Sequence, residues 1–308
     1  MSHFYCPFCG QPGRKTREHV WARWLHGTPA ARSLLENTHG ERFTSIDGTV
    51  SKDSRGKYVT SMGKSGHVAK WLPNVTVWVC QACNGGWMKE LEDGVKALLE
   101  PFLTDRAAVT LSAPDLRTLA AWATKSWMAY ALNRPTQRNP FTESEYRLMA
   151  AEHKPLQRSS LWLMYSHEPG ANVGIGIEST LLSFEATLPN LAAVPDNTAY
   201  AYLAVAGAVM VLLLVPAEAP AELVRVLSPP MLSAPMVRKI WPDLRPQYFP
   251  LQLLPDLNLA LFLEFPPQVF EAIGLPVIGL TEKDTGEVAR DFLAGANPKD
   301  LRQKWRGR

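Results

Sequence analysis

Residues 71–99 change from the period of a strand to the period of a helix. Val75, Val77 and Val79 alternate with Thr76, Trp78 and Cys80, which is typical of a β-strand. The apolar positions that follow recur at helical spacing: Met88, Leu91, Val95, Leu98 and Leu99. The pattern therefore predicts a strand over residues 71–80 that runs through a short turn into a helix.

Two further helices are predicted between residues 101 and 155. Residues 115–133 carry a broad apolar and aromatic face, and Pro114 and Pro135 bracket that stretch. Residues 142–153 begin with Thr142 and Glu145 at the spacing of a capping box. We expect the aromatic side chains of the first helix to lie in the core and not to stack on nucleic-acid bases.

From residue 159 onward the pattern changes to short β-rich segments separated by Gly or Pro. The predicted strands are residues 160–166, 173–178, 181–187, 200–205 and 208–215. Residues 199–215 contain no charged side chain, but a membrane helix needs roughly 20 apolar residues. Ala206-Gly207 near the middle favours two buried strands joined by a turn, so we expect no membrane span.

Length and composition suit a two-domain globular protein. The chain has 308 residues, of which 46% are apolar and 20% charged. The first residues show no basic segment leading into an apolar stretch, so we expect no secretory signal and a cytoplasmic protein. The expected fold class is α+β, with a mainly antiparallel C-terminal sheet.

The basic residues are concentrated near the N-terminus. The net charge is only +3, yet residues 1–75 carry eleven Lys and Arg against five Asp and Glu. A phosphate backbone would favour such a distribution, although a solvated basic face would look the same.

All four cysteines lie in two C-x-x-C pairs, Cys6/Cys9 and Cys80/Cys83. Two such pairs have the spacing of a tetrahedral Cys₄ zinc site, and paired cysteines in a chain of this size favour metal over disulfides. The sequence therefore predicts a structural zinc ion that clamps residue 6 to residue 83.

Three polar residues flank these pairs. Glu18-His19 follows the first pair by about ten residues, and Asn84 directly follows the second. The ordered set C-x₂-C, E-H-V, C-x₂-C-N and G-W-x₃-L-E resembles the HNH endonucleases of the ββα-metal type with a four-cysteine zinc site. The resemblance covers residues 4 to about 95. Ala22 stands where relatives often carry Pro, Glu18 where they usually carry Asp, and Asn84 in a slot that is often His.

The resemblance implies roles for individual residues in hydrolysis of DNA. His19 would close the first strand of a zinc-stabilised ββα unit and serve as the base that activates water. Glu18 and Asn84 would hold a catalytic Mg²⁺ or Mn²⁺, and Asn74 would orient the base. The HNH unit would span residues 1–104 with an insertion at 26–70, and residues 105–308 would form an accessory domain. Cutting both strands of DNA with one site per chain would favour a homodimer.

Other functions remain open from the sequence. A non-catalytic zinc module would bind nucleic acid through its basic N-terminal part and be indifferent to His19. An enzyme of another class would place its activity in residues 100–308, where we find no nucleotide-binding Gly motif, G-x-S-x-G or kinase motif. Asn84 could also be a plain helix N-cap.

Overall fold

The computed structural model describes ten stretches of the chain. They are residues 4–27, 43–52, 58–67, 75–105, 108–133, 139–165, 173–178, 199–205, 208–216 and 237–249.

The N-terminal part contains two β-ribbons. Strand β1 (Lys15–His19) pairs antiparallel with residues 76–80. Between them, β2 (Phe43–Lys52) pairs antiparallel with β3 (Tyr58–His67) inside the segment that was predicted to be an insertion. A short 3₁₀ turn, Arg23–Gly27, follows β1.

The partner of β1 is β4 (Thr76–Cys80), so that Lys15 lies opposite Cys80 and His19 lies opposite Thr76. β4 leads directly into a helical turn (Gln81–Cys83), a π-type turn (Asn84–Met88) and helix α1 (Lys89–Asp105). Four apolar side chains of this helical segment are buried, as their spacing predicted: Met88, Leu91, Val95 and Leu99. The order strand, strand, helix is thus present, with the second cysteine pair at the junction.

Two more helices follow. Helix α2 (Ala113–Leu132) begins at a capping box formed by Ser112 and Asp115. Helix α3 (Glu143–Glu152) begins at the predicted capping box of Thr142 and Glu145. The side chains of Trp122 and Trp127 on α2 are fully buried, which confirms that these aromatic residues belong to the core.

The C-terminal part is an antiparallel sheet of five strands in the order β10-β6-β9-β8-β7. Its strands are β6 (Ser159–Tyr165), β7 (Val173–Glu178), β8 (Ala199–Val205), β9 (Ala208–Leu214) and β10 (Val237–Trp241). A small separate pair joins β5 (Val109–Leu111) to β11 (Gln247–Phe249). The predicted strand at 181–187 lies outside the described residues.

Within the uncharged stretch 199–215, residues 199–205 form β8 and residues 208–214 form β9, and these two strands pair with each other. Among the helices of the described residues, none is long and apolar enough to cross a membrane. The fold is therefore α+β with antiparallel sheets.

One hydrophobic core joins the N-terminal unit to the helices and the sheet. It contains Phe8 near the first cysteine pair, Val95 on α1, Trp122 on α2 and Leu212 on β9. The domain division at residue 104 stays a prediction, and this core crosses it.

Candidate metal centre and the residues around it

The four cysteines meet at one point in the fold. Their Sγ atoms all lie within 4.8 Å of one another, although 71 residues separate Cys9 from Cys80. Three of the four side chains are buried and Cys9 is half-buried. No other group of three or more His, Cys, Asp or Glu in the described part of the chain is arranged to hold a metal ion.

The first cysteine pair sits in a tight turn. The Gly10 N–H donates to the Cys6 carbonyl at 2.9 Å, and the Cys6 N–H donates to the Gln11 carbonyl at 3.0 Å. Gly10 adopts φ 74°, and a Cβ there would lie 2.3 Å from Cζ of Arg147. The left-handed backbone conformation favours glycine at this position, and a side chain there would also displace the Arg147 guanidinium.

Arg147 of α3 links this turn to the helix through side-chain hydrogen bonds. Its Nη1 donates to the carbonyl oxygens of Cys6 at 3.1 Å and Phe8 at 3.4 Å. The Cys6 carbonyl already accepts from the Gly10 N–H, so the guanidinium adds a second hydrogen bond there and also binds the Phe8 carbonyl. Helix α3 thus helps to shape the metal centre.

The second cysteine pair sits at the start of the helical turn that follows β4. Sγ of Cys80 accepts a hydrogen bond from the Cys83 N–H at 3.4 Å, so Cys80 is the N-cap of this turn. The helical backbone already begins at Gln81, and the alternative that Asn84 is the N-cap is therefore wrong.

Hydrogen bonding between the thiols and their burial shift the pKa values of three of the cysteines. Hydrogen bonding from Cys83 lowers the pKa of the Cys6 thiol, and the same bond together with burial raises the pKa of Cys83. Burial also raises the pKa of Cys80. Four thiols packed this closely resist sharing more negative charge, and a bound cation would neutralise it.

Four converging sulfur donors fit a zinc ion. Zinc in structural sites takes four Cys or His ligands in a tetrahedron, and a backbone N–H directed at a ligand sulfur supports such a site. Cys6, Cys9, Cys80 and Cys83 could therefore hold a metal ion such as zinc, in agreement with the cysteine spacing.

Asn84 lies against the backbone of β1. Its Nδ2 donates to the Arg17 carbonyl at 2.9 Å and to Thr16 Oγ1 at 3.1 Å. Asn84 thus contacts the residues of β1 that directly precede Glu18 and His19, and these two residues end the strand. The three residues predicted to act together are near one another, and Asn84 fixes the strand that carries the other two.

Glu18 points into the core and pairs with a lysine that the sequence reasoning did not single out. Its side chain is 5% exposed, and its Oε1 lies 2.5 Å from Nζ of Lys125 on α2, which is completely buried. Nζ of Lys125 also lies 2.9 Å from Oε1 of Glu92 on α1. One ammonium group therefore joins two carboxylates from two different elements.

The pKa values of Glu18 and Lys125 are both raised. Burial raises the pKa of Glu18, and the neighbouring Glu92 carboxylate raises it further against the lowering effect of Lys125. Burial also opposes the charge on Lys125, but the two carboxylates outweigh it and raise the pKa of Lys125 above its ordinary value. The two carboxylates thus favour the charged form of Lys125 inside the core.

A divalent cation at Glu18 does not fit this arrangement as it stands. The carboxylate is buried and hydrogen-bonded to an ammonium group, and the Asn84 amide nitrogen is engaged with β1. A cation at Glu18 would have to displace Lys125. The roles of Glu18 and Asn84 as ligands of Mg²⁺ or Mn²⁺ stay predictions.

His19 is half-buried at the end of β1, where its neighbour Val20 donates its N–H to the Val75 carbonyl at 2.9 Å. Asn74, predicted to orient His19, lies outside the described residues.

Lys125 and Arg147 were not identified from the sequence, and Glu92, the last residue of the G-W-x₃-L-E motif, was given no role. One signal for Lys125 was available, since it is the only charged residue in the stretch 118–132. A lone charge inside an apolar helix is rarely buried without a partner. The sequence alone could not say which carboxylates that partner would be.

Comparison of the chain with protein-family models, curated proteins and solved structures finds no match. The fold and the site therefore define the class by themselves. The chain is an α+β protein whose two C-x-x-C pairs form one four-cysteine cluster, at a strand–strand–helix junction, that could hold a metal ion.

Proposed function

We propose that this protein is an HNH-type endonuclease that hydrolyses phosphodiester bonds in DNA, with His19 as the base and structural zinc on the four cysteines. One observation carries the proposal. β1 ends at His19, pairs with the strand that delivers the second cysteine pair, and is held by Asn84 at the start of the following helical segment. This is the order and spacing that the resemblance to the family implies.

The chemistry needs a base of suitable pKa at a fixed position. An unperturbed histidine titrates between pH 5 and 8, so a neutral imidazole can accept a proton from water near pH 7. The zinc centre and the Asn84 hydrogen bonds hold the strand that presents His19. A phosphodiester would be bound by basic side chains near this strand end, and the water would attack the phosphorus in line with the leaving oxygen.

A plasmid-nicking assay tests the proposal. Zinc-loaded protein would be incubated with supercoiled DNA in Mg²⁺, Mn²⁺ or EDTA, and the rate compared with that of His19→Ala. General-base catalysis contributes about 10²–10⁴-fold, so the variant should be at least about 100-fold slower.

The matched control is His153→Asn. His153 caps α3 at φ 55° and stacks on Trp87 with ring centroids 5.2 Å apart, and Asn tolerates that backbone conformation. This variant should cut at the wild-type rate. Equal cutting by wild type and His19→Ala, with equal zinc content, would contradict the proposed role of His19.

A second function is favoured by the buried triad. Because Lys125 already satisfies Glu18, the chain is also suited to be a non-catalytic zinc module that binds nucleic acid. Such a module would bind DNA but would not cut it in Mg²⁺, Mn²⁺ or EDTA.

A further inference from the structure

The outer face of the β1–β4 ribbon carries cations around an exposed aromatic ring. Side chains alternate along β1, so Lys15 and Arg17 are exposed whereas Glu18 is buried. Trp78 on β4 lies directly opposite Arg17 and remains 44% exposed. An exposed aromatic ring among cations offers a surface on which a base can stack.

The cations lie over the ring. Nζ of Lys15 is 4.2 Å from the Trp78 ring centroid, and Cζ of Arg17 is 5.0 Å from it. Nζ of Lys15 also lies 5.5 Å from the Phe4 ring, and the neighbouring Tyr5 is 63% exposed. These contacts hold the side chains in place without neutralising them.

The two positive charges are available to an external anion. Within the described part of the chain, neither Lys15 nor Arg17 forms an ion pair with a carboxylate. By contrast, the exposed Lys89 on α1 pairs with Asp93 and Lys96 pairs with Glu100. On this face of the ribbon, the positive charges of Lys15 and Arg17 are therefore not neutralised by a carboxylate of the described residues.

Cations and an aromatic plane together match an unpaired nucleotide strand. Phosphates bind Lys and Arg, and bases stack on aromatic rings whatever their sequence. A duplex keeps its bases stacked inside, so an exposed indole finds a base only where the strand is single. Positions two apart on a strand are about 6.6 Å from one another, so Lys15, Arg17 and His19 form a row that leads along β1 to the proposed base.

We propose that Lys15, Arg17 and Trp78 bind a single-stranded segment of nucleic acid, with phosphates on the two cations and a base against the part of the indole that the cations leave exposed. The proposal rests on the proposed function in naming the substrate of that site. It makes the nuclease specific for unpaired or locally opened strands.

The test is a binding measurement that does not depend on cutting. In the His19→Ala background, fluorescence anisotropy would follow labelled oligonucleotides of one sequence as single-stranded DNA, single-stranded RNA and duplex DNA over a range of salt. Trp78→Ala should weaken single-strand binding about 5- to 150-fold, the range for one base–aromatic stack. Trp78→Phe should recover most of the loss.

The cations have their own readout. Lys15→Gln and Arg17→Gln should each reduce the slope of log affinity against log salt by about 0.7, the value for one phosphate contact in a single strand. Tyr248→Ala is the matched aromatic control, because Tyr248 on β11 is 64% exposed and lies far along the chain in a different β-pair. Lys89→Gln is the matched basic control. Both controls should bind as the parent does, and the DNA and RNA arms show whether the sugar matters.

The outcomes separate the two proposals. Absence of single-strand binding would overturn the proposed binding surface. Unchanged binding by Trp78→Ala, with zinc content and melting temperature preserved, would overturn it too. In either case the proposed nuclease activity would stand if the plasmid is still cut. Equal or tighter binding of duplex would overturn it as well. If single-strand binding depends on Trp78 but the wild type cuts no DNA, the proposed binding surface is supported and the proposed nuclease activity is contradicted.

Discussion

Lys125 is the residue whose environment is hardest to reconcile with an ordinary helix position. It is fully buried, and its ammonium group lies between the carboxylates of Glu18 and Glu92. Desolvating such charges is costly, and only close pairing offsets the cost. Removing the cation would leave two carboxylates facing each other in the core.

Lys125→Met should therefore lower the free energy of unfolding by about 3–5 kcal/mol, the range for breaking a buried ion pair. The measurement is denaturant unfolding of the zinc-loaded protein. Lys96→Met is the control, since its pair with Glu100 lies at the surface with 3.8 Å between charged atoms and should contribute less than about 1 kcal/mol. A Lys125→Met variant as stable as the control would show that the triad is not a buried ion pair.

The elements were more predictable than their contacts. β7 was predicted with the observed bounds, and α3 with its capping box, because alternation and caps are properties of neighbouring residues. The cysteine cluster was predicted as well, since C-x-x-C spacing fixes the ligand pair locally. The pairing of Lys125 with Glu18 and of Arg147 with the Cys6 carbonyl could not be predicted, because each joins residues more than 100 positions apart.

At the start of α3, Glu145 has both a cap and an ion pair. Burial works against its charge, but Arg158 at 2.5 Å and the Thr142 N–H hold the pKa of Glu145 below its ordinary value. A carboxyl whose folded pKa is depressed stabilises the fold above its unfolded pKa, and the contribution is lost as the pH falls through the folded pKa.

Glu145→Gln should cost about 1.5 kcal/mol at pH 7, the lower end for hydrogen bonds to a charged group. The difference from wild type should shrink as the pH falls below the ordinary carboxyl value of 4.5. Paired urea melts at each pH measure it, and Glu152→Gln, whose partner Lys154 is exposed, should show little difference at any pH. A gap between Glu145→Gln and wild type that stays constant with pH would contradict the assignment.

On the scale of the whole molecule, the metal centre and the helices share one core. Phe8 beside the first cysteine pair packs against Trp87 and Tyr146 with ring centroids 5.7 and 5.0 Å apart. Arg147 fastens the same turn to α3. Loss of a bound metal ion should therefore lower the stability of the helices as well as that of the N-terminal unit.

Cys83→Ser should lose bound zinc and lower the melting temperature of helices α1–α3 together, as followed by circular dichroism. Chelation of wild-type protein should have the same effect, and added zinc should restore the wild type alone. Ser144→Ala changes an exposed side chain of α3, so it serves as the surface control and should keep both zinc and melting temperature. Full helical stability in metal-free Cys83→Ser would show that the centre does not support the core.

The nicking of supercoiled plasmid by zinc-loaded protein tests the central claim most directly. The account predicts cutting by wild type, cutting by His153→Asn, and a loss of at least about 100-fold in His19→Ala at unchanged zinc content. Cutting by His19→Ala at the wild-type rate, or no cutting by wild type in Mg²⁺, Mn²⁺ or EDTA with single strands or duplex, would contradict it.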